Sequence, residues 1–374
     1  MICLMAFLAL QEAQIEEAWL PYLRYLARHQ AVDGSWGARP EGCTCPDASP
    51  PPKADPAALS ALLLRLGDDD PGARDAAERD LRGLGESALP ALRAGVEHKD
   101  AEVRGRCARL EARLAARCAG VSDLETTALA VLAFLGDGFS HLSKDTYDDL
   151  CFGTVVKKGL QRLIARQDAE GWFDRKDPAA NAVAALALSE AYGLTGSILF
   201  KDQAQEGVSA VGRTRGTDER TLAWKMRVLI SARESGLEGD HAGQASSLVD
   251  ELKGSRSILA LSARARLRLV FLKQADPEAA EAIAAVSPRD LDPELRFFVA
   301  TTLHSFDGPS GPGWKRWEPR FKDFLLPLPP RGVASCERGS REGQGLRGRL
   351  RATALNELAL HVTYRHCTLF GAAR

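Results

Sequence analysis

The chain is poor in aromatic residues, has no excess of charge of one sign and lacks a long apolar run. Of its 374 residues, 6% are Phe, Trp or Tyr, and 49 basic residues balance 50 acidic ones to a formal net charge of −1. A balanced chain has no broad electrostatic field to attract nucleic acid or an anionic membrane. No stretch reaches the roughly 18 apolar residues of a membrane-spanning helix. We therefore expect no nucleic-acid partner and no transmembrane segment.

Strand signals are also scarce. Runs of β-branched residues are few, and no convincing alternation of apolar and polar residues marks a strand. Alanine, leucine, arginine and glutamate are abundant, and all four favour helices. The composition therefore predicts an all-α protein.

The N-terminus permits two interpretations. Met1–Leu10 reads MICLMAFLAL, which resembles the apolar region of a signal peptide spanning residues 1–14, although no Lys or Arg precedes it and no clear cleavage site follows. The first interpretation predicts export to the periplasm. The second makes this run the apolar side of a first helix and leaves the protein in the cytoplasm.

The 8 cysteines do not decide the compartment. If Cys3 leaves with a signal peptide, an odd number remains, which argues against a fully paired disulfide framework. Cys43 and Cys45 form the one close pair. We interpret them as loop thiols, or as contributing one disulfide to a distant cysteine.

The strongest pattern is a repeat of two alternating units. In the first unit a small polar residue precedes an apolar run whose apolar positions share one helix face. The second copy is apolar nearly all round, which predicts a helix buried on every side. The copies are Thr127–Gly136, Asn181–Leu188, Thr221–Met226 and Thr353–Leu360.

The second unit is a helix that ends in a turn with glutamine, glycine and tryptophan. Gln30–Trp36 keeps the form Q-x-x-x-G-x-W, whereas Gln167–Trp172 places tryptophan directly after glycine. The glutamine amide can bond exposed backbone groups, the glycine permits a left-handed turn, and the tryptophan packs over it. If a third copy is present near Trp314 and Trp317, it is badly eroded.

This combination resembles the repeat of the terpenoid cyclases and protein prenyltransferases. The resemblance implies an α/α toroid, in which inner and outer helices alternate around a central cavity, with about five or six helix pairs. The segment Arg351–Arg365 is similar to the closing inner helix of bacterial squalene-cyclase-like repeat proteins. The first part of the toroid is expected at 15–45 and the remainder at 119–374.

A different pattern interrupts the toroid. Residues 46–56 are a proline-rich linker by composition. The segment 57–118 resembles a HEAT-type repeat, chiefly at the turn Asp100–Arg104, and we interpret it as a small inserted helical module used for packing or interaction. Its expected helices are Ala57–Leu66, Pro71–Leu84, Ala88–Glu97 and Ala101–Ala116.

The resemblance also points to a candidate acid. Squalene-type cyclases protonate an alkene with the middle aspartate of a D-x-D-D-T-A motif at the head of an inner helix. The matching stretch begins Asp123-Leu-Glu125, so that Glu125 stands at the proton-donor position, Asp123 is the first acid, and Thr126 replaces the last aspartate. Glu125 and Asp123 are therefore the catalytic candidates, because alkene protonation needs a carboxylic acid in a dry cavity.

Helix capping is the interpretation that we favour for these acids. Ser122 and Glu125 have the spacing of a capping box, which stabilises a helix start by about 1 kcal/mol. The heads of the sister units, 177–181 and 217–221, also carry capping residues and acids. Polar helix heads are thus a general property of the repeat.

The residues needed for a metal site are missing. Prenyltransferases bind zinc with an aspartate, a cysteine and a histidine, but no D-x-C with a suitably placed histidine occurs here. The remaining candidates, Cys151, His361, His366 and Cys367, are interpreted as packing or surface residues. The acidic turn Gly67–Pro71 is better explained as a helix start than as a magnesium site. We expect neither metal nor cofactor.

Two functions remain. The first is a non-catalytic or diverged repeat protein that binds a partner protein or an apolar ligand through the toroid. The second is an isoprenoid-processing enzyme, either a single-barrel terpene cyclase that uses Glu125 or a prenyltransferase-like subunit. The low aromatic content disfavours the enzyme, because aromatic faces stabilise carbocations in such cavities.

Overall fold

The computed structural model describes residues 20–37, 55–84, 88–118, 123–147, 149–215, 218–326, 342–343 and 345–363. These ranges are mainly helical, and the strands within them are one short antiparallel pair, β1 (Thr146–Tyr147) and β2 (Leu150–Cys151). The prediction of an all-α protein is confirmed. Within the same ranges, no helix combines the length and the apolar character needed to cross a membrane.

The helices are numbered along the chain. They are α1 (20–28), α2 (Pro56–Arg65), α3 (Pro71–Leu84), α4 (Leu89–Gly95), α5 (Ala101–Cys118), α6 (Asp123–Gly136), α7 (Phe152–Ile164), α8 (Pro178–Thr195), α9 (Ile198–Arg213), α10 (Glu219–Glu234), α11 (His241–Glu251), α12 (Ile258–Leu267), α13 (Pro277–Ala285), α14 (Pro293–Asp307), α15 (Pro312–Leu325) and α16 (Gly345–Leu360). A π-helical turn, Arg268–Leu272, extends α12, and 3-10 turns occur at Pro288–Asp290 and His361–Thr363.

The chain forms two compact units. The larger comprises Met1–Thr44, Ser122–Gly343 and Arg347–Arg374, and the smaller comprises Cys45–Val121 with Gln344–Leu346.

The smaller unit uses the same helix-start device twice. The Asp70 carboxylate accepts hydrogen bonds from two backbone N–H groups at the start of α3, and Asp100 does the same at the start of α5. Arg74 and Arg104 each donate to two backbone carbonyls in the turn just before their own helix. The acidic turn Gly67–Pro71 therefore serves as a helix cap, as its sequence predicts. The unit's core is apolar and includes Leu66, Leu81, Leu92, Val103 and Leu110.

In the larger unit, each even-numbered helix from α6 to α12 packs against the next even-numbered helix. Contacts join α6 to α8, α8 to α10, α10 to α12 and α12 to α14, and the odd-numbered helices pack against their neighbours in the chain. The even-numbered helices from α6 onward are buried over most of their surface, and in α8 every residue from Ala179 to Ala191 is buried. Helix α7 instead buries one apolar face. The difference follows from sequence, since α8 is apolar all round and α7 is amphipathic.

Two glutamines tie successive odd-numbered helices together. At the end of α1, the Gln30 amide donates to Gly34 O at 3.2 Å and to Val155 O of α7 at 2.9 Å. After α7, the Gln167 amide donates to Gly171 O at 3.3 Å and to Gln203 O of α9 at 2.9 Å. The repeated turn is therefore a joint between one helix pair and the next.

Glycine is required in both turns. Gly34 has φ +86° and Gly171 has φ +87°, values that favour glycine. A Cβ atom at Gly34 would lie 2.3 Å from Lys158 O, and one at Gly171 would lie 2.4 Å from Glu206 O. The turn thus lets two backbones approach more closely than any side chain permits.

The two turns match once the aromatic position is counted from the glycine. Trp36 is buried and its backbone N–H donates to Thr127 Oγ1 at 3.0 Å. In the second turn Phe173 is buried and its N–H donates to Asn181 Oδ1 at 2.8 Å. Phe173 therefore takes the position of Trp36. Thr127 and Asn181 are the small polar residues that open two of the apolar units. Their side chains accept the hydrogen bonds from these two turns.

Trp172 has a different surrounding. It follows Gly171 directly, is half-buried, and has the guanidinium groups of Arg175 and Arg213 at 5.5 and 5.6 Å from its ring. The region of Trp314 and Trp317, where a third copy of the turn was considered, is helical. Trp314 and Trp317 are buried within α15, because an amphipathic helix places them on its apolar face.

The first helix of the larger unit contacts the last ones. The Tyr22 hydroxyl of α1 donates to Leu325 O of α15 at 3.4 Å, and the Arg349 guanidinium of α16 lies 5.5 Å from the centre of the Tyr25 ring. Beyond α16, His361 Nδ1 lies 3.4 Å from Asp137 Oδ1 at the end of α6. Residues at the two ends of the described chain thus pack together.

Candidate functional site

Four charged side chains meet where α6, α10 and α14 begin. Glu125 accepts hydrogen bonds from Arg220 Nη2 of α10 and, at 2.7 Å, from Arg351 Nε of α16. Glu294 of α14 accepts from Arg220 Nε at 3.0 Å and forms an ion pair with Arg351 Nη2 at 2.8 Å. Trp224 Nε1 also donates to Glu294, at 2.5 Å. We call Glu125, Arg220, Glu294 and Arg351 the four-charge cluster.

Helix caps position two members of the cluster. Asp218 accepts from the Thr221 N–H at the start of α10, and Asp292 accepts from the Leu295 N–H at the start of α14. These caps fix the first helical turns that carry Arg220 and Glu294. Polar helix heads thus recur in the repeat, as the sequence indicates.

The charges in the cluster alternate and compensate one another. Burial alone would raise the pKa of the Glu294 carboxyl, but Arg220 and Arg351 outweigh it and hold the pKa low, at about 2. Burial alone would lower the pKa of each arginine, but Glu294 and Glu125 raise both. The arrangement is that of two carboxylates shared by two guanidinium groups, and such charge-assisted bonds are strong and directional.

Glu125 and Asp123 are not partners. The Glu125 side chain is 5% exposed and lies in the four-charge cluster. The Asp123 side chain is 30% exposed and pairs with Arg166 Nη1 at 2.9 Å and Arg162 Nη2 at 3.7 Å. The structure brings Glu125 together with residues from three other helices. Asp123 instead lies beside the end of α7. Ser122, the proposed capping partner of Glu125, lies outside the described residues.

Of the residues considered for zinc, Cys151 and His361 lie within the described ranges. Cys151 precedes α7, where hydrogen bonds from the backbone and side chain of Thr154 lower the pKa of its thiol. His366, Cys367, Cys43 and Cys45 lie outside the described ranges, as do residues 1–14. In the part of the chain that is described, no three His, Cys, Asp or Glu side chains are placed to hold a metal ion.

His361 belongs to a buried acidic group. Its Nε2 atom lies 2.5 Å from Glu357 Oε1, and its Nδ1 atom faces Asp137. All three side chains are buried, and burial raises the pKa of the Glu357 carboxyl well above its usual range. The group joins the end of α6 to the end of α16.

Sequence reasoning did not anticipate the buried arginines of the even-numbered helices. Arg296 of α14 donates to Asn356 Oδ1 of α16 at 2.9 Å, and Arg266 of α12 donates to Thr301 O at 3.1 Å. Burial and the nearby Arg227 lower the pKa of Arg266 to about 9. The available signal was an arginine in the middle of a mostly apolar helix, as in the sequence around Arg227 and Arg266.

Two surface hollows are lined mainly by residues of odd-numbered helices and by none of the four-charge cluster. One of about 340 Å³ is lined by Ala169, Glu170, Gln205, Glu206, Ser209 and Arg213. The other, of about 390 Å³, is lined by Glu281, Ala284, Ala285, Arg316 and Arg320. Neither is lined by an aromatic residue, so neither has the surface that stabilises a carbocation.

Comparisons of the chain with protein-family models, with curated proteins and with solved structures find no match. The resemblance described above therefore rests on the residues of this chain alone. Its turns, its alternating helices and its acid position remain the observations from which a function is inferred.

Proposed function

We propose that the larger unit is an α/α toroid of the terpenoid-cyclase type, with the smaller unit as a HEAT-like insertion. The alternation of buried even-numbered helices and amphipathic odd-numbered helices supports this arrangement. The two glutamine joints and the contacts between α1, α15 and α16 support closure of the ring. In this proposal the even-numbered helices from α6 onward are the inner ring.

The protein is a non-catalytic or diverged member of this repeat class, which binds a partner protein or an apolar ligand. The observation that carries this proposal is the position of Glu125 in the four-charge cluster. An acid that protonates an alkene must hold a proton, whereas Glu125 accepts hydrogen bonds from two guanidinium groups. We assign it the role of joining inner helices.

The rival is an isoprenoid-processing enzyme. One observation favours it: Glu125 is almost fully buried at the head of an inner helix, where the resembling cyclases place their acid. Such an enzyme also needs an apolar, aromatic-lined cavity, and the two hollows described above do not have that lining.

One experiment separates the two functions. Purified protein is incubated with squalene and with prenyl diphosphates, and products are measured by mass spectrometry for the wild type, Glu125→Gln and Asp123→Asn. We expect no product from any of the three and a loss of thermal stability in Glu125→Gln. Turnover by the wild type and Asp123→Asn that a folded Glu125→Gln protein lacks would establish the enzyme instead.

A further inference from the structure

Three buried titratable side chains join the ends of two helices in the larger unit. Glu357 lies in the last turn of α16, His361 follows one turn later, and Asp137 comes directly after the last residue of α6. Each of the three side chains is at most 1% exposed. Ionisable groups are seldom buried together, because water stabilises their charged forms. The number of protons on this group therefore decides how stable its burial is.

The contacts within the group fix its proton count. His361 Nε2 lies 2.5 Å from Glu357 Oε1, and Nδ1 lies 3.4 Å from Asp137 Oδ1. A carboxylate oxygen and a bare ring nitrogen are both acceptors, so each contact needs a proton on one of its two atoms. The three side chains therefore hold two protons. These form either an imidazolium between two carboxylates or a neutral imidazole with one carboxylate and one carboxylic acid.

Burial favours retention of both protons. With two protons the group carries one negative charge in either arrangement, and loss of a proton leaves two negative charges in a buried site. Such a site penalises each additional charge. In agreement, burial raises the pKa of the Glu357 carboxyl well above its usual range.

The neighbouring charged groups also oppose a second negative charge. Burial raises the pKa of the Tyr22 hydroxyl of α1, and the negative charges of Glu357 and Glu342 add to this effect. Arg296 of α14 acts on the same hydroxyl in the opposite direction, but its guanidinium donates to Glu342 Oε2 at 2.7 Å and is thus already paired. Glu190 is a further buried acid on α8, the helix that packs against α6.

The proton count changes when the end of α16 separates from α6. In water a histidine has a pKa of about 6.5, and carboxyl groups ionise near pH 4. Between about pH 4.5 and 6.5 the separated group therefore holds two protons, both on the imidazole, as many as the closed group. Above about pH 6.5 it holds one. Closure should therefore be independent of pH up to about 6.5 and should weaken as the pH rises further, because the closed state binds one more proton.

We propose that Asp137, Glu357 and His361 form a proton-dependent latch, which holds the end of α16 on the end of α6 and opens at alkaline pH. Opening brings the two carboxyl groups and the imidazole into water, and one proton passes from the group to water or hydroxide. The latch goes beyond the proposed function, and it depends neither on the toroid arrangement nor on the role of Glu125.

Hydrogen exchange as a function of pH tests the latch. Amide protection of the full chain is measured by mass spectrometry between pH 5 and 9 and corrected for the intrinsic pH dependence of exchange. We expect protection in the last turns of α16 to be constant up to about pH 6.5 and then to fall about tenfold per pH unit, because opening releases one proton. Protection in α10, which carries no member of the latch, should change little over the same range.

Asp137→Asn separates a latch from an ordinary buried contact. An asparagine amide can donate to His361 Nδ1 itself, so the closed group then needs only the proton that His361 shares with Glu357. The variant should keep the protection of α16 and lose its pH dependence above about 6.5. His361→Gln, which removes the titrating ring, should lose the pH dependence as well and serves as the second variant if Asp137→Asn does not fold.

His241→Gln is the matched control. His241 is also a buried histidine, but its Nε2 atom bonds the backbone oxygen of Leu237 at 2.8 Å instead of an acid. This variant should retain the wild-type pH dependence in α16. Circular dichroism checks that all the variants are folded.

Three results would overturn the proposal. The first is protection of α16 in the wild type that stays constant from pH 6.5 to 9. The second is a wild-type slope in folded Asp137→Asn or His361→Gln, because the released proton would then come from another group. The third is an equal loss of protection in α10 and α16, which would mean that alkaline pH unfolds the larger unit as a whole.

Discussion

Glu125 and Asp123 are two acids in one helical turn with opposite environments. Glu125 is bound by arginines from α10 and α16, while Asp123 pairs with Arg166 and Arg162 near the end of α7. Residues two apart on a helix point about 200° away from each other, since one turn takes 3.6 residues. The pair of acids that the sequence presents is therefore not a pair in space.

The two environments predict different losses of stability when each acid is replaced. A buried ion pair that loses one partner leaves an uncompensated charge, and this costs several kcal/mol. An exposed pair contributes about 0–1 kcal/mol, because water and salt screen it. Substitution at the two acids should therefore separate a structural centre from a surface contact.

The largest effect is expected for Glu125→Gln. The substitution leaves Arg220 and Arg351 with Glu294 as their shared acid in the cluster, so the free energy of unfolding should fall by about 2–4 kcal/mol. Denaturant unfolding followed by circular dichroism measures it. A change below about 0.5 kcal/mol would contradict the structural role of Glu125.

The next largest effect is a loss of stability at acidic pH. The pKa of Glu294 is about 2 in the folded protein, against an ordinary value of 4.5. A lowered pKa contributes stability that is present above pH 4.5 and is lost as the pH falls towards 2. The free energy of unfolding should fall by roughly 3 kcal/mol when this contribution is lost.

Glu294→Gln provides the control for this acid effect. The variant should be less stable at neutral pH and should show a shallower fall of the melting temperature between pH 4.5 and the lowest accessible pH. The same slope in the variant and the wild type would mean that other carboxyl groups cause the acid sensitivity.

The smallest effect is expected for Asp123→Asn. The pair with Arg166 is about one-third exposed on each side, so the free energy of unfolding should change by at most about 1 kcal/mol. The change should also shrink in high salt. A loss as large as that of Glu125→Gln would remove the distinction between the two acids.

Local signals in the sequence predicted much of the helical structure. The helix predicted at Pro71–Leu84 has the same bounds in the structure, because an acidic residue before a proline marks a helix start. The apolar run from Thr127 ends with α6 at Gly136. Such features depend on residues a few positions apart, which a single sequence displays.

The four-charge cluster could not be predicted from such local signals. The arginines that bind Glu125 lie 95 and 226 residues away in the chain, and nothing near Glu125 specifies them. The second turn illustrates a related limit. Its tryptophan directs attention to Trp172, but the buried position is set by distance from the glycine, and Phe173 fills it.

A double-mutant cycle between Glu125 and Arg351 tests most directly whether Glu125 joins the even-numbered helices α6 and α16. The free energies of unfolding are measured for Glu125→Gln, Arg351→Gln and the double variant, and the same cycle on Asp123 and Arg166 is the reference. We expect a coupling of about 2 kcal/mol or more for the first pair and below about 0.5 kcal/mol for the second. Equal, small couplings in both cycles would contradict the account.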